Sequence, residues 1–205
     1  MIAHYPYQTE LDAEERIVIE GSTPIYRGQL LDEDGVPIAF AAISAMTLTY
    51  KNKNDSSVIN TRDGQNVLNA NNVTLQADLS ISAATAANPV VVTTTANHNL
   101  ITGDKVYITG VVGMTELNNR MFRITRITDT TFSLQGENGA SHTAYDSAGT
   151  IYAGLFQWTL QVADTVIVDP SVAAGGTDEH NALFTWTFNS KVGAKNVPIE
   201  VLKSY

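Results

Sequence analysis

Four histidines are the first residues to weigh for chemistry: His4, His98, His142 and His180. No two sit at metal-ligand spacing, and each falls in an expected loop. Each therefore reads as a solvated side chain, not as a ligand or base. The acidic run Asp32-Glu-Asp-Gly35 offers oxygens that suit calcium. It lacks the full D-x-[DN]-x-[DN]-G series and the trailing bidentate glutamate, so a plain β-turn is the simpler reading. Asp63 and Asp78 have no second carboxylate at a spacing that serves acid–base work. The chain has no cysteine, which removes thiolate nucleophiles, disulfides and Cys-based zinc sites. No G-x-S-x-G, P-loop or dinucleotide fingerprint is present. Gly175-Gly176 is followed by no Lys-Ser/Thr, so it reads as a hinge or hairpin tip. These residues predict no enzyme, no metal and no cofactor.

Composition narrows the class of protein. The 205 residues carry a net charge of −9, are 43% hydrophobic and only 16% charged, against about 25% charged in a typical domain. Acidity argues against a nucleic-acid partner, because neutralising phosphates takes Lys and Arg. Thr, Asn, Ser and Ala replace the missing charge, as on an all-β surface that packs against neighbours. No apolar run approaches the ~18 residues that cross a bilayer. The N-terminus has neither the basic nor the apolar region of an export signal. A soluble chain made in a cytosol, with no membrane partner, is expected.

The elements that would position any site are strands. Met46-Thr-Leu-Thr-Tyr50 alternates, with Met46, Leu48 and Tyr50 on one face. Leu155 to Val162 places Phe156, Trp158, Leu160 and Val162 on one face. Ala182 to Phe188 does the same with Phe184, Trp186 and Phe188. Val58-Ile-Asn60 and Val67-Leu68 around Asp63-Gly64 read as a hairpin. Val166-Ile-Val168 reads as a strand and Gly193-Ala-Lys-Asn as a turn. Pro198 points to an edge position or a strand start. Asp12 and Glu15 have capping-box spacing, so a helical turn and an acidic loop both remain open there. No stretch of eight residues shows helical period. Both tryptophans sit in apolar rows, which favours a sandwich core over a sugar platform.

Composition shifts near residue 80, and the segment 86–151 reads as a complete small unit between Ala-rich and Gly-containing joints. It holds four basic and five acidic residues, so nearly all the net charge lies in its flanks. Neither flank alone has enough apolar strands to close a core. The expected architecture is all-β: a discontinuous sandwich of 1–85 and 152–205, with 1–15 as an N-terminal arm and 86–151 as an inserted small β-barrel.

The motifs Asn88-Pro-Val-Val-Val-Thr-Thr-Thr, His98-Asn-Leu, Gly103-Asp-Lys-Val-Tyr-Ile-Thr-Gly110, Val112-Gly-Met-Thr-Glu-Leu-Asn118, Phe122-Arg-Ile and Thr131-Phe-Ser-Leu134 carry a resemblance. The segment resembles the small barrel of the first catalytic cysteine half-domain (FCCH) of ubiquitin-activating enzymes. Such modules recur in structural proteins of tailed bacteriophages. With no cysteine here, no ubiquitin chemistry carries over. The flanks resemble the immunoglobulin-like domain of phage baseplate and neck proteins. That likeness rests on Arg27-Gly-Gln-Leu-Leu-Asp-Glu-Asp-Gly-Val-Pro, Ile43-Ser-Ala-Met-Thr-Leu-Thr-Tyr-Lys, Ala182-Leu-Phe-Thr-Trp-Thr-Phe and Val197-Pro-Ile-Glu-Val.

The resemblance implies a non-enzymatic virion protein, assembled in the host bacterial cytoplasm. It would be a multi-copy component of the neck or collar, tail or baseplate that packs through its sandwich and projects its barrel. Its partners would be other virion proteins and copies of itself. Candidate contacts are Tyr5 and Tyr7 in the arm, Met114 and Leu117 in the loop 111–119, and Tyr145. Met114 and Leu117 have a second reading, folding back onto their own barrel. The alternative role is a host-surface glycan-binding module using Tyr145 and His142. A cell-wall hydrolase has no paired carboxylate to support it.

Overall fold

The computed structural model describes residues 10–11 and 17–204. Its strands, in chain order, are β1 (Glu10–Leu11), β2 (Ile17–Ile19), β3 (Ile25–Gln29), β4 (Ile43–Asn52), β5 (Gln65–Asn66) and β6 (Val73–Leu75). Then come β7 (Leu79–Ala84), β8 (Val91–Thr94), β9 (Lys105–Val112), β10 (Arg120–Arg126), β11 (Thr131–Leu134) and β12 (Ser147–Tyr152). The chain closes with β13 (Leu155–Thr159), β14 (Thr177–Phe188) and β15 (Lys191–Leu202). The protein is all-β apart from three short 3-10 turns among the described residues.

Two compact units are present. One comprises the described part of 1–33 with 42–75 and 155–205; the other comprises 34–41 and 76–154. The first is a sandwich of two sheets, ordered β1-β3-β13-β6 and β2-β15-β14-β4-β5. Lettered in chain order as A, A′, B, C, C′, D, E, F and G, these are an A-B-E-D sheet and an A′-G-F-C-C′ sheet. That is the strand order of an immunoglobulin-like fold. β2 pairs with β15 in parallel, and every other pairing in the unit is antiparallel. The barrel segment enters the chain between D and E.

Alternation builds the sandwich core. On β4, Met46, Leu48 and Tyr50 point inward and are fully buried. On β14, Phe184, Trp186 and Phe188 do the same, and Trp158 of β13 reaches them from the opposite sheet. Trp158 meets Phe184 edge-on at 5.4 Å and Tyr50 at 5.5 Å between ring centroids, a geometry that the ring quadrupole favours. Trp186 lies against Gly193, where any Cβ would overlap the indole.

The second unit is a closed six-stranded barrel, ordered β10-β11-β8-β7-β12-β9. Its interior is filled by Val92, Val106, Ile108, Ile124, Phe132, Leu134 and Ile151, all fully buried. The expected boundary after residue 85 is corrected. The small-residue segment that reads as a joint is β7, which pairs with β8 and β12 and turns Leu79 and Ile81 inward. The sandwich correspondingly resumes at Leu155 instead of residue 152.

Four local expectations also change. Residues 58 and 67 do not form a hairpin with each other; Val58 bridges Lys51, and β5 pairs with Thr47 and Leu48. Val166–Val168 is not a strand, because the Val168 N–H donates to the Asp178 carboxylate at 2.7 Å. Val162 is exposed, since β13 ends at Thr159 and a 3-10 turn follows. The turn lies at Asn189-Ser190, not at residues 193–196. Both of its residues have positive φ (45° and 63°), as a two-residue type I′ hairpin turn requires. Pro198 lies where β15 has only β14 beside it, since β2 covers only Glu200 to Leu202.

Candidate functional site

Most of the arm lies outside the described residues, and with it Tyr5, Tyr7 and the capping-box pair Asp12 and Glu15; Glu10 and Leu11 pair with Gln29 and Gly28. Met114 and Leu117 are fully buried, so they are corrected from contact residues to packing residues of the barrel. A 3-10 turn, Thr115–Leu117, swings both side chains inward. The Asn118 carboxamide then locks the loop: its Oδ1 accepts the Val111 N–H and its Nδ2 donates to the Val111 carbonyl.

Tyr145 is half-buried, and its hydroxyl donates to the carbonyls of Ile81 (3.1 Å) and Ala148 (2.9 Å). It therefore fastens the loop before β12. His142 stands beside Glu137 at 3.3 Å. Arg120 grips Glu137 through two hydrogen bonds of 2.8 and 2.6 Å. That guanidinium holds the Glu137 carboxyl below the usual carboxylate range. The Thr143 N–H, donated to Glu116, lowers that carboxyl too. A general acid at neutral pH needs the opposite shift, so these carboxylates anchor the 135–146 loop as ionised acceptors.

The other candidates disperse. Asp63 pairs with Lys51 at 3.3 Å. Asp78 accepts the Phe40 N–H, and burial pushes its carboxyl upward. Glu33, from the acidic turn, pairs with Lys191. Among the described residues no three His, Asp or Glu side chains converge as a metal site.

Two histidines expected in solvent are buried. His98 closes a barrel turn, accepting the Leu100 N–H at Nδ1. His180 occupies an inward position of β14, with its Nδ1 2.9 Å from the Tyr50 hydroxyl and its Nε2 3.2 Å from Asp178. Tyr50 and Asn52 approach from β4; Asn52 donates to Asp178, which also accepts the backbone N–H groups of Val168 and Asp169. Burial holds His180 below its ordinary 6.5, against the raising effect of Asp178. The folded state thus keeps His180 neutral where the unfolded chain takes a proton, so stability falls as pH drops through about 6.5. Asp178 is net lowered: its donors outweigh burial. It stays ionised in both states above about pH 5. Sandwich melting temperature is therefore expected to fall from pH 7.5 to 5, and His180→Gln to flatten that slope; equal slopes would refute the assignment.

Sequence reading missed two features. One is the buried Arg62–Asp164 pair, hidden because polar loops usually carry solvated charge. The other is the outer face of the β2-β15-β14-β4-β5 sheet, whose signal was the choice of polar residue. The outward positions of β4 and β14 are mostly Thr and Asn, where Lys and Glu are the ordinary alternatives. Pairing sets them in rows across three strands. Ala45–Thr187–Val192, Thr47–Thr185–Ala194, Thr49–Leu183–Asn196 and Lys51–Asn181–Pro198 follow one another along the sheet. The first three rows carry no charge. Thr47 and Thr185 join through their hydroxyls at 2.6 Å. Leu183 is 40% exposed, as are Val192 (48%), Ile17 (54%) and Ile19 (58%). A shallow depression of about 450 Å³ lies beside Leu183, between Thr49, Asn196 and the Lys51–Lys53 turn. The middle of this surface is free of charge, with Lys51 and the Glu179–Glu200 row toward one end, and it offers flat hydrogen-bonding and apolar area, which suits protein contact better than chemistry.

No curated protein matches the chain. Residues 87–153, about a third of the chain and comprising strands β8 to β12, match the family described as the ubiquitin-activating enzyme E1 FCCH domain, so the inserted barrel is similar to that module.

Proposed function

We propose that this chain is a non-enzymatic structural protein of a bacteriophage virion, a multi-copy component of the neck or collar, tail or baseplate. It contacts other virion proteins and copies of itself through its sandwich and carries the barrel as an insertion between strands D and E. The observation that carries this reading is the run of three uncharged rows on the outer face of the five-stranded sheet, in a chain whose net charge is −9. Proteins that stay apart keep charge on their exposed strands. This one withholds it from three successive rows of its five-stranded sheet. The FCCH-like barrel and the immunoglobulin-like flanks add support, because both resemble modules of tailed-phage structural proteins.

The test is the protein composition of purified source particles by quantitative mass spectrometry. The chain is expected at a fixed copy number of several per particle. Its absence from intact particles would overturn the reading.

A further inference from the structure

We propose that the outer face of the β2-β15-β14-β4-β5 sheet is a self-association surface, occupied by the same face of a second copy of this chain. The proposal rests on the multi-copy reading above and names the surface that reading needs.

Charge selects the occupant. Two copies at −9 each repel through their long-range field, which salt screens beyond about 8 Å at physiological ionic strength. They can meet closely only where neither brings unpaired charge. On this face the charges gather toward one end, as Lys51 and the Glu179–Glu200 row, and two ion pairs offset part of them, Lys51 with Asp63 and Lys53 with Glu179. The middle rows are neutral.

Symmetry selects it further. A two-fold interface sets one patch against itself, so the patch must be self-complementary. A lone charge on such a patch faces its own image. Thr and Asn do not have this problem, because hydroxyl and carboxamide groups both donate and accept. Thr49, Thr185, Asn181 and Asn196 are of that kind, and Leu183 in their midst supplies an apolar anchor. A partner of different sequence would more economically be recognised by opposite charge, and the three middle rows show none to recognise.

Size is adequate. β4, β14 and β15 run 10, 12 and 12 residues. At about 3.3 Å per residue and 4.8 Å per strand they span roughly 550 Å² in projection. Side-chain relief and the flanking β2 and β5 bring this toward the ~800 Å² per partner of a standard interface.

The test is sedimentation velocity on the full chain from about 1 to 100 μM, for the wild type and for Leu183→Arg and Thr185→Arg. Both substitutions point outward, and far-UV circular dichroism confirms folding of each. The wild type is expected to dimerise, and each arginine to weaken association at least tenfold by setting like charges together. A wild type that stays monomeric at 100 μM would overturn the proposal. So would dimers that persist unchanged in both variants. Dimerisation through this face by a chain absent from purified particles would fail the virion reading while supporting this one. A chain present in particles but monomeric in solution would do the reverse.

Discussion

Asp164→Ala is expected to destabilise the sandwich by about 3–5 kcal/mol, the cost of leaving a buried charge without its partner. Arg62 and Asp164 are 2% and 0% exposed and meet through two hydrogen bonds of 2.5 and 2.8 Å. Removing the carboxylate strands the guanidinium under the Trp158 ring, 5.7 Å from its centroid. It also takes the acceptor from two further donors, Asn60 Nδ2 and the Gln161 N–H, each 2.8 Å from Asp164, and leaves Asn60 Nδ2 only its 3.4 Å bond to Gln161 Oε1. The pair ties the turn between β4 and β5 to the 3-10 turn after β13. Both tryptophans, Trp158 and Trp186, lie in the sandwich, so tryptophan fluorescence, excited selectively over tyrosine, reports this unit alone. Its thermal midpoint should fall by roughly 10–20 °C. The double variant Arg62→Met/Asp164→Ala should recover part of the loss, because it removes the stranded charge. A single variant within about 1 kcal/mol of wild type would show that water reaches the pair and screens it.

Gly113→Ala is expected to cost the barrel about 2–5 kcal/mol, from two sources that add. The residue holds φ at +88°, and a left-handed backbone costs an L-residue roughly 1–2 kcal/mol. A Cβ there would also overlap the Ala144 carbonyl and sit 2.6 Å from the Asp146 nitrogen. The Asp146 nitrogen cannot move aside freely, because its N–H donates to the Val112 carbonyl at 3.0 Å. Overpacking of that kind costs about 1–3 kcal/mol. Gly136→Ala is the control. Its φ is +75° with nothing within 4 Å of a Cβ, so it should lose only the conformational share. Amide exchange in β9 and β12 measures both. Equal protection in the two variants would remove the steric argument.

The all-β class was legible in the sequence because strands write themselves in period two. Met46-Leu48-Tyr50 and Phe184-Trp186-Phe188 each expose one apolar row, and burial of that row follows from the hydrophobic effect whatever the partner. The existence of an inserted unit was also legible, since its turn residues and strand motifs are local. The same locality explains the failures. β7 carries the small residues of a joint, and only its pairing with β8 and β12 makes it a stave. Met114 and Leu117 looked like loop contacts because sequence shows residue type but not the direction in which a turn points it.

What the chain alone determined was therefore an acidic, cysteine-free, two-unit β protein with aromatic cores. What only the tertiary structure decided was every relation across strands. Arg62 and Asp164 are 102 positions apart, as are many groups that fold together, and nothing local couples them. His180 became a buried neutral base only when Tyr50 and Asp178 closed over it. The uncharged rows exist only because β14 and β15 align with β4 in one register; a slip of one residue would turn the threonines inward and the aromatics to solvent. Physically, burial and alternation are short-range codes carried by each segment, whereas a surface or an ion pair belongs to segments brought together.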